Sequence, residues 1–167
     1  MMNSIGVCIL ALVGQCAAIQ LSPTYSLTWS VRGDKITFDI DAKTTGWVGL
    51  GFNTDRGMAG ADIVIAGVNN GQKYIHDMHA DGYEQPIQDA KSDYELLKAS
   101  ENATHTSLTI RRKLDTNDKS DYTIAGEPLY VLWAYHYSED ALNPAQFAQH
   151  SKKGSKQLTL IDSVRAH

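Results

Sequence analysis

Apolar residues recur at every second position in short runs separated by turn residues, which is the spacing of half-buried β-strands. Residues 26–31 place Leu27, Trp29 and Val31 on one face. A turn over 32–35 follows, and Ile36, Phe38 and Ile40 then alternate with Thr37, Asp39 and Asp41, so the two runs predict a hairpin. Residues 46–52 set Trp47, Val48 and Leu50 among Gly46, Gly49 and Gly51, predicting a strand that another group approaches closely. After a loop over 53–60, the nearly continuous apolar run 63–68 predicts a central strand, which Asn69-Asn70-Gly71 turns back into a strand over 72–80. Residues 81–93, with Gly82 and Pro86, form a long irregular connection of the kind that often carries function. Runs at 94–100, 105–114, 129–137 and 157–161 complete the series. Roughly nine to eleven short strands, no amphipathic helix and no internal repeat predict an all-β chain folded as an immunoglobulin-like antiparallel β-sandwich.

The N-terminus departs from this pattern. Residues 1–18 lack Asp, Glu, Lys and Arg, carry an apolar stretch over 5–13, and end in small residues, so they predict a secretory signal peptide. Cleavage after Ala18, or in a second register after Ala17, leaves a single domain over 19–167 and a secreted, extracellular protein. The apolar stretch is shorter than the roughly 20 residues that span a bilayer, so no membrane span is expected. Cys8 and Cys16 are the chain's two cysteines and both fall in the leader. The mature domain is therefore expected to have no disulfide, no zinc–thiolate site and no covalent haem attachment.

Fifteen Lys and Arg against 19 Asp and Glu give a formal charge of −4, without long runs of one sign, which argues against a nucleic-acid partner. Arg111-Arg112-Lys113 and the group Lys152, Lys153 and Lys156 are read as solvated strand ends or loops. Asn102-Ala103-Thr104 is a glycosylation sequon, so Asn102 is the expected glycan carrier of a secreted glycoprotein.

Gly46-Trp47-Val48-Gly49-Leu50-Gly51-Phe52 and Gly57-Met58-Ala59-Gly60-Ala61-Asp62-Ile63-Val64 together resemble the first half of a DOMON domain. The resemblance continues through Asp89, Asp93-Tyr94-Glu95-Leu96-Leu97, Leu114-Asp115-Thr116-Asn117-Asp118, Leu132-Trp133-Ala134-Tyr135, His150, Gly154 and Leu158-Thr159-Leu160. Within that family the chain is most similar to the N-terminal domain of dopamine beta-hydroxylase and related monooxygenase-like proteins, and more distantly to the cytochrome domain of cellobiose dehydrogenase. The copper-binding catalytic domains of the hydroxylases are expected to be absent and the chain is expected not to be an enzyme; a position expected to be cysteine in those enzymes is Asn117.

The resemblance implies two ligand classes, haem or carbohydrate. In the cytochrome-type domains one axial ligand is a Met before the A-D-I-V-type strand and the other a His near the C-terminus, which places the cofactor-binding residues at Met58 and His150, with His136 as a second candidate for the His. Such a haem b would be non-covalent and would transfer electrons to or from an extracellular redox partner. The alternative is a carbohydrate-binding or protein-interaction module without a redox cofactor, using Tyr74, Tyr83, Tyr135 or Tyr137, with Trp29, Trp47 and Trp133 in the core.

No other metal is expected. His76 and His79, three apart on a strand, point to opposite faces, while Asp77 and His79 share one. Asp39, Asp41, Asp62 and Asp115 could supply oxygens to calcium if loops gathered them, but solvation or turn capping is the reading adopted for each. No G-x-S-x-G element supports hydrolysis.

Overall fold

The computed structural model describes residues 16–161. It contains eleven strands: β1 (Cys16–Ser22), β2 (Tyr25–Arg32), β3 (Lys35–Ala42), β4 (Val48–Asn53), β5 (Asp62–Asn69), β6 (Gln72–His79), β7 (Ile87–Gln88), β8 (Glu95–Glu101), β9 (Thr106–Lys113), β10 (Leu129–Tyr135) and β11 (Lys152–Leu158). They form a five-stranded sheet, β1-β2-β3-β9-β8, and a six-stranded sheet, β11-β10-β4-β5-β6-β7. Every pairing is antiparallel. The expected all-β sandwich is therefore the fold.

Alternation builds the inner core. Leu27, Ile36, Phe38, Leu108 and Ile110 from one sheet meet Val48, Leu50, Phe52, Val64 and Val131 from the other, and the Phe38 and Phe52 rings lie 5.4 Å apart. At the β5–β6 hairpin, Asn70 (φ 48°) and Gly71 (φ 81°) both take the left-handed conformation that a two-residue type I′ turn requires.

Three features differ from the sequence reading. β1 and β7 were not expected, and the final strand runs over Lys152–Leu158 instead of 157–161. β11 is an edge strand rich in lysine, a composition that discourages pairing with another molecule and hides the alternation that marks inner strands. The expected leader lies outside the described residues over 1–15, while Cys16, Ala17 and Ala18 pair with Ser30, Trp29 and Thr28 of β2.

A polar knot interrupts the core. Arg112 was expected to be solvated, yet its side chain is 0% exposed, because strand alternation puts it on the same inward face as Leu108 and Ile110. Its Nη1 donates to Asp62 Oδ2 at 2.5 Å and to Tyr94 OH at 3.1 Å, and its Nη2 donates to Tyr122 O at 2.8 Å. Tyr94 OH donates to Asp62 Oδ1 at 2.9 Å. Beside this pair stand Asp77 and Asp121, and one oxygen from each of Asp62, Asp77 and Asp121 lies within 4.8 Å of the other two. Asp77 Oδ2 accepts the Asp93 N–H, whereas Asp77 Oδ1 and both Asp121 oxygens lack a hydrogen-bond partner among the described residues. Burial pushes the Asp77 carboxyl up to about 8, with the neighbouring carboxylates adding to the shift, and burial also raises Asp121.

Two outcomes follow from these contacts. A Cβ at Gly154 would stand 2.6 Å from the Trp133 indole, so Gly154→Ala is expected to cost about 1–3 kcal/mol by overpacking, read as a lower urea midpoint. Folded Asp77 keeps its proton to about pH 8, while an unfolded Asp releases it near pH 4. Its contribution to stability is full in acid and declines as pH rises through that window. In chelator-containing buffer, Asp77→Asn should match the wild-type urea midpoint at pH 4 and exceed it at pH 8; a wild-type midpoint that rose from pH 5 to 8 by the same amount in both proteins would contradict this.

Candidate functional site

β4 and β5 are buried on both faces. Their inner face meets the five-stranded sheet, and their outer face carries a second apolar cluster of Trp47, Ile63, Ile65 and Met78, against which Met58, Leu132, Ala134 and Phe147 pack. Glycines give this outer face its shape. Gly49 lies opposite Ala134 and Ile65, and Gly51 opposite Leu132 and Ile63, so β4 adds backbone there but no side chain. A cavity of about 660 Å³ opens above this floor, within the range of small-molecule and cofactor sites.

Loops form its walls. One wall is Arg56, Gly57 and Met58; another is Tyr83 to Pro86; a third holds Phe147, Gln149 and His150; Lys153 and Ser155 of β11 border the floor. Trp47 anchors the third wall. Its Nε1 donates to Ala148 O at 3.1 Å and its ring meets Phe147 edge-on at 5.5 Å between centroids. Gln85 Nε2 donates to Pro144 O at 3.4 Å and links the second wall to the loop that precedes the third.

Met58 and His150, 92 positions apart in sequence numbering, thus line one cavity. Burial, with Lys153 nearby, pushes the His150 imidazole below its ordinary value, which favours the neutral form that ligates metals. His136 is not among the lining residues. Its Nδ1 accepts the Glu139 N–H at 2.8 Å and fixes the turn after β10.

The tyrosines separate in the same way. Tyr135 is buried and bonded through its OH to Thr24 Oγ1 at 2.8 Å, and Tyr74 OH donates to Asp140 at 2.8 Å. Tyr137 is exposed away from the cavity lining, and Tyr83, 76% exposed, stands at the mouth. Trp29 lies in the inner core and Trp47 in the buried outer-face cluster, both as expected; Trp133 is half-buried against the inner core, and Trp47 and Trp133 also border the cavity.

The carboxylates expected to be solvated divide as well. Asp39 and Asp41 accept hydrogen bonds from Thr109 and Ser107 on the exposed face, and Asp115 accepts the Asn117 N–H in a turn. Asp62 is the exception, joining Asp77 and Asp121 as a set of oxygens able to hold a proton or a hard cation. His76 and His79 take opposite faces of β6: His76 Nε2 lies 2.7 Å from Ala141 O, and His79 Nδ1 contacts Asp89. Asn102 is exposed in the turn between β8 and β9, its Oδ1 accepting from the Thr104 and His105 N–H groups, both at 2.9 Å.

Among the described residues no helix is long and apolar enough to cross a membrane. The chain is 37% identical over 150 residues to DBH-like monooxygenase protein 1 of Gallus gallus, covering 90% of this chain and 24% of that protein. The Homo sapiens protein of that name is 40% identical over 138 residues, covering 83% and 22%. The chain thus spans about a quarter of the length of these curated relatives. Its fold is shared with the cytochrome domain of Myriococcum thermophilum cellobiose dehydrogenase (TM-score 0.64, 18% identity, 89% of this chain and 83% of that one). The cytochrome b domain of pyranose dehydrogenase from Coprinopsis cinerea is similar (TM-score 0.63, 15% identity, 80% and 75%). The DOMON domain profile matches residues 21–136, and the chain belongs to the DOMON domain family.

Proposed function

We propose that this DOMON domain is a secreted, haem b-binding electron-transfer module whose site is the outer-face cavity, where Met58 and His150 would hold the haem iron. One observation carries the reading: a thioether and an imidazole, supplied by two separately anchored loops, line one cavity of suitable size. The floor fits a flat apolar group, since Gly49 and Gly51 leave it open and Ile63, Ile65 and Leu132 make it apolar. Arg56 and Lys153 at the border suit the propionates. A bound haem would supply a one-electron couple, and a site that holds it through both Met58 and His150 would suit relay over oxygen activation. The residues of the chain bind and orient the group, exclude water from one side of it, and make no bond to substrate. The structural neighbours bear cytochrome names, which supports the same choice. Secretion rests on the leader over residues 1–18, and glycosylation on the exposed Asn102.

Tyr83 favours one second reading. An exposed ring at the mouth of a rigid cleft is a stacking surface for a sugar, and that function would need neither Met58 nor His150.

Titration of the protein with haemin is expected to end at one equivalent with a sharp Soret band, and with resolved α and β bands on reduction. Met58→Ala should keep the haem but lose the six-coordinate ferrous spectrum, and His150→Ala should weaken binding most. A spectrum at equimolar haemin no different from that of free haemin, with glycan binding that Tyr83→Ala abolishes, would replace this reading with carbohydrate recognition.

A further inference from the structure

Met58 rides on the loop between β4 and β5, and one buried amide grips that loop on both sides of it. Asn53, the last residue of β4 and 2% exposed, donates from Nδ2 to Gly57 O at 2.7 Å and to Ala59 O at 2.9 Å. Met58 O in turn accepts the Ala61 N–H at 2.9 Å. The opposite end of the amide is equally constrained: Asn53 Oδ1 accepts from Tyr122 OH at 3.1 Å and from the Asp55 N–H at 3.3 Å. Two carbonyls at Nδ2 and two donors at Oδ1 admit a single orientation of the amide, since a flip would set an oxygen against two oxygens. Tyr122 is itself pinned through its backbone, its N–H donating to Asp62 Oδ2 at 3.0 Å and its carbonyl accepting from Arg112 Nη2 at 2.8 Å.

We infer that Asn53 is a positioning residue that holds Met58 at the cavity, itself oriented by Tyr122 from the buried Arg112–Asp62 pair. The inference rests on the cavity being the binding site and Met58 a ligand within it. Neither Asn53 nor Tyr122 is among the residues lining the cavity, so their effect on a ligand must pass through the loop. Asn53 replaces hydrogen bonds that a strand partner would otherwise give the loop, and two bonds from one rigid amide fix the backbone before and after Met58 together. Outer-shell contacts of this kind commonly change ligand affinity about 10–100-fold when removed.

The test uses the full chain with 13C-methyl-labelled methionine, the Met58 resonance being identified by its loss in Met58→Leu. Without haem, Asn53→Ala should move the Met58 methyl toward its unfolded shift and speed exchange of the Ala61 amide about tenfold, as loss of the Nδ2 hydrogen bonds implies. Tyr122→Phe, which removes one hydroxyl and keeps the amide, should move both readouts in the same direction by less, and it decides the matter if Asn53→Ala does not fold. With haem, Asn53→Ala should bind about tenfold more weakly and lose the thioether-to-iron charge-transfer band while His150-dependent binding persists. Unchanged Met58 and Ala61 signals in the folded variants would overturn the positioning role, and a loosened Met58 with unaltered haem affinity and spectrum would overturn its bearing on the ligand. Failure of the wild-type protein to take up haem would instead overturn the function proposed above, and is distinguished by the haem-free readouts.

Discussion

Burial of β4 and β5 on both faces is the constraint from which the rest of the structure follows. A sheet with one apolar face is satisfied by a single partner; a sheet with two needs a second cover. The five-stranded sheet covers the inner face, with Tyr94, Ile124 and Leu160 from the connections completing the core. Loops cover the outer face, and loops carry too few side chains to fill the space above Gly49 and Gly51, so the second cover leaves a cavity over an apolar floor. The same glycines that let β4 lie close to its neighbours therefore create the room for a ligand.

The loops that form the walls cannot draw rigidity from strand pairing, and each is tied by an indole or amide instead. Trp47 holds the segment with His150, and Asn53 holds the loop with Met58. Asn53 is connected to the polar knot, where one guanidinium bridges three parts of the chain: Asp62 of β5, Tyr94 before β8 and Tyr122 before β10. A buried ion pair of this kind contributes little net stability against an apolar replacement, but removing one partner leaves a stranded charge. Its value here lies in fixing where three loops leave the core. The adjoining Asp77 and Asp121 carboxyls are raised chiefly by burial; Asp121 Oδ2 lies 3.7 Å from Arg112 Nη2, whereas Asp77 Oδ1 has no hydrogen-bond partner among the described residues.

Strands with one wet face were legible in the sequence because period-two alternation reports burial directly, as at Leu27, Trp29 and Val31 or Ile36, Phe38 and Ile40. β11 was displaced because its lysines and Gly154 carry no alternation, and β7 is too short to show any. Met58 and His150 were named through resemblance, since no spacing rule connects positions so far apart. Arg112 was misread as solvated by its neighbours Arg111 and Lys113, although its place two residues beyond Ile110 pointed inward. The Asp77–Asp121 grouping and the Asn53 clamp left no sequence signal, because each depends on loops brought together from distant parts of the chain.

The central claim is that the outer face of the six-stranded sheet is the ligand site. It is tested most directly by recording amide and methyl chemical shifts of the labelled protein while adding the diamagnetic zinc protoporphyrin. The account predicts large ring-current shifts at Gly49, Gly51, Ile63, Ile65, Leu132 and Ala134, with Ser107 and Thr109 on the outer face of the five-stranded sheet unmoved. Shifts centred on that opposite face, or none at equimolar porphyrin, would contradict it.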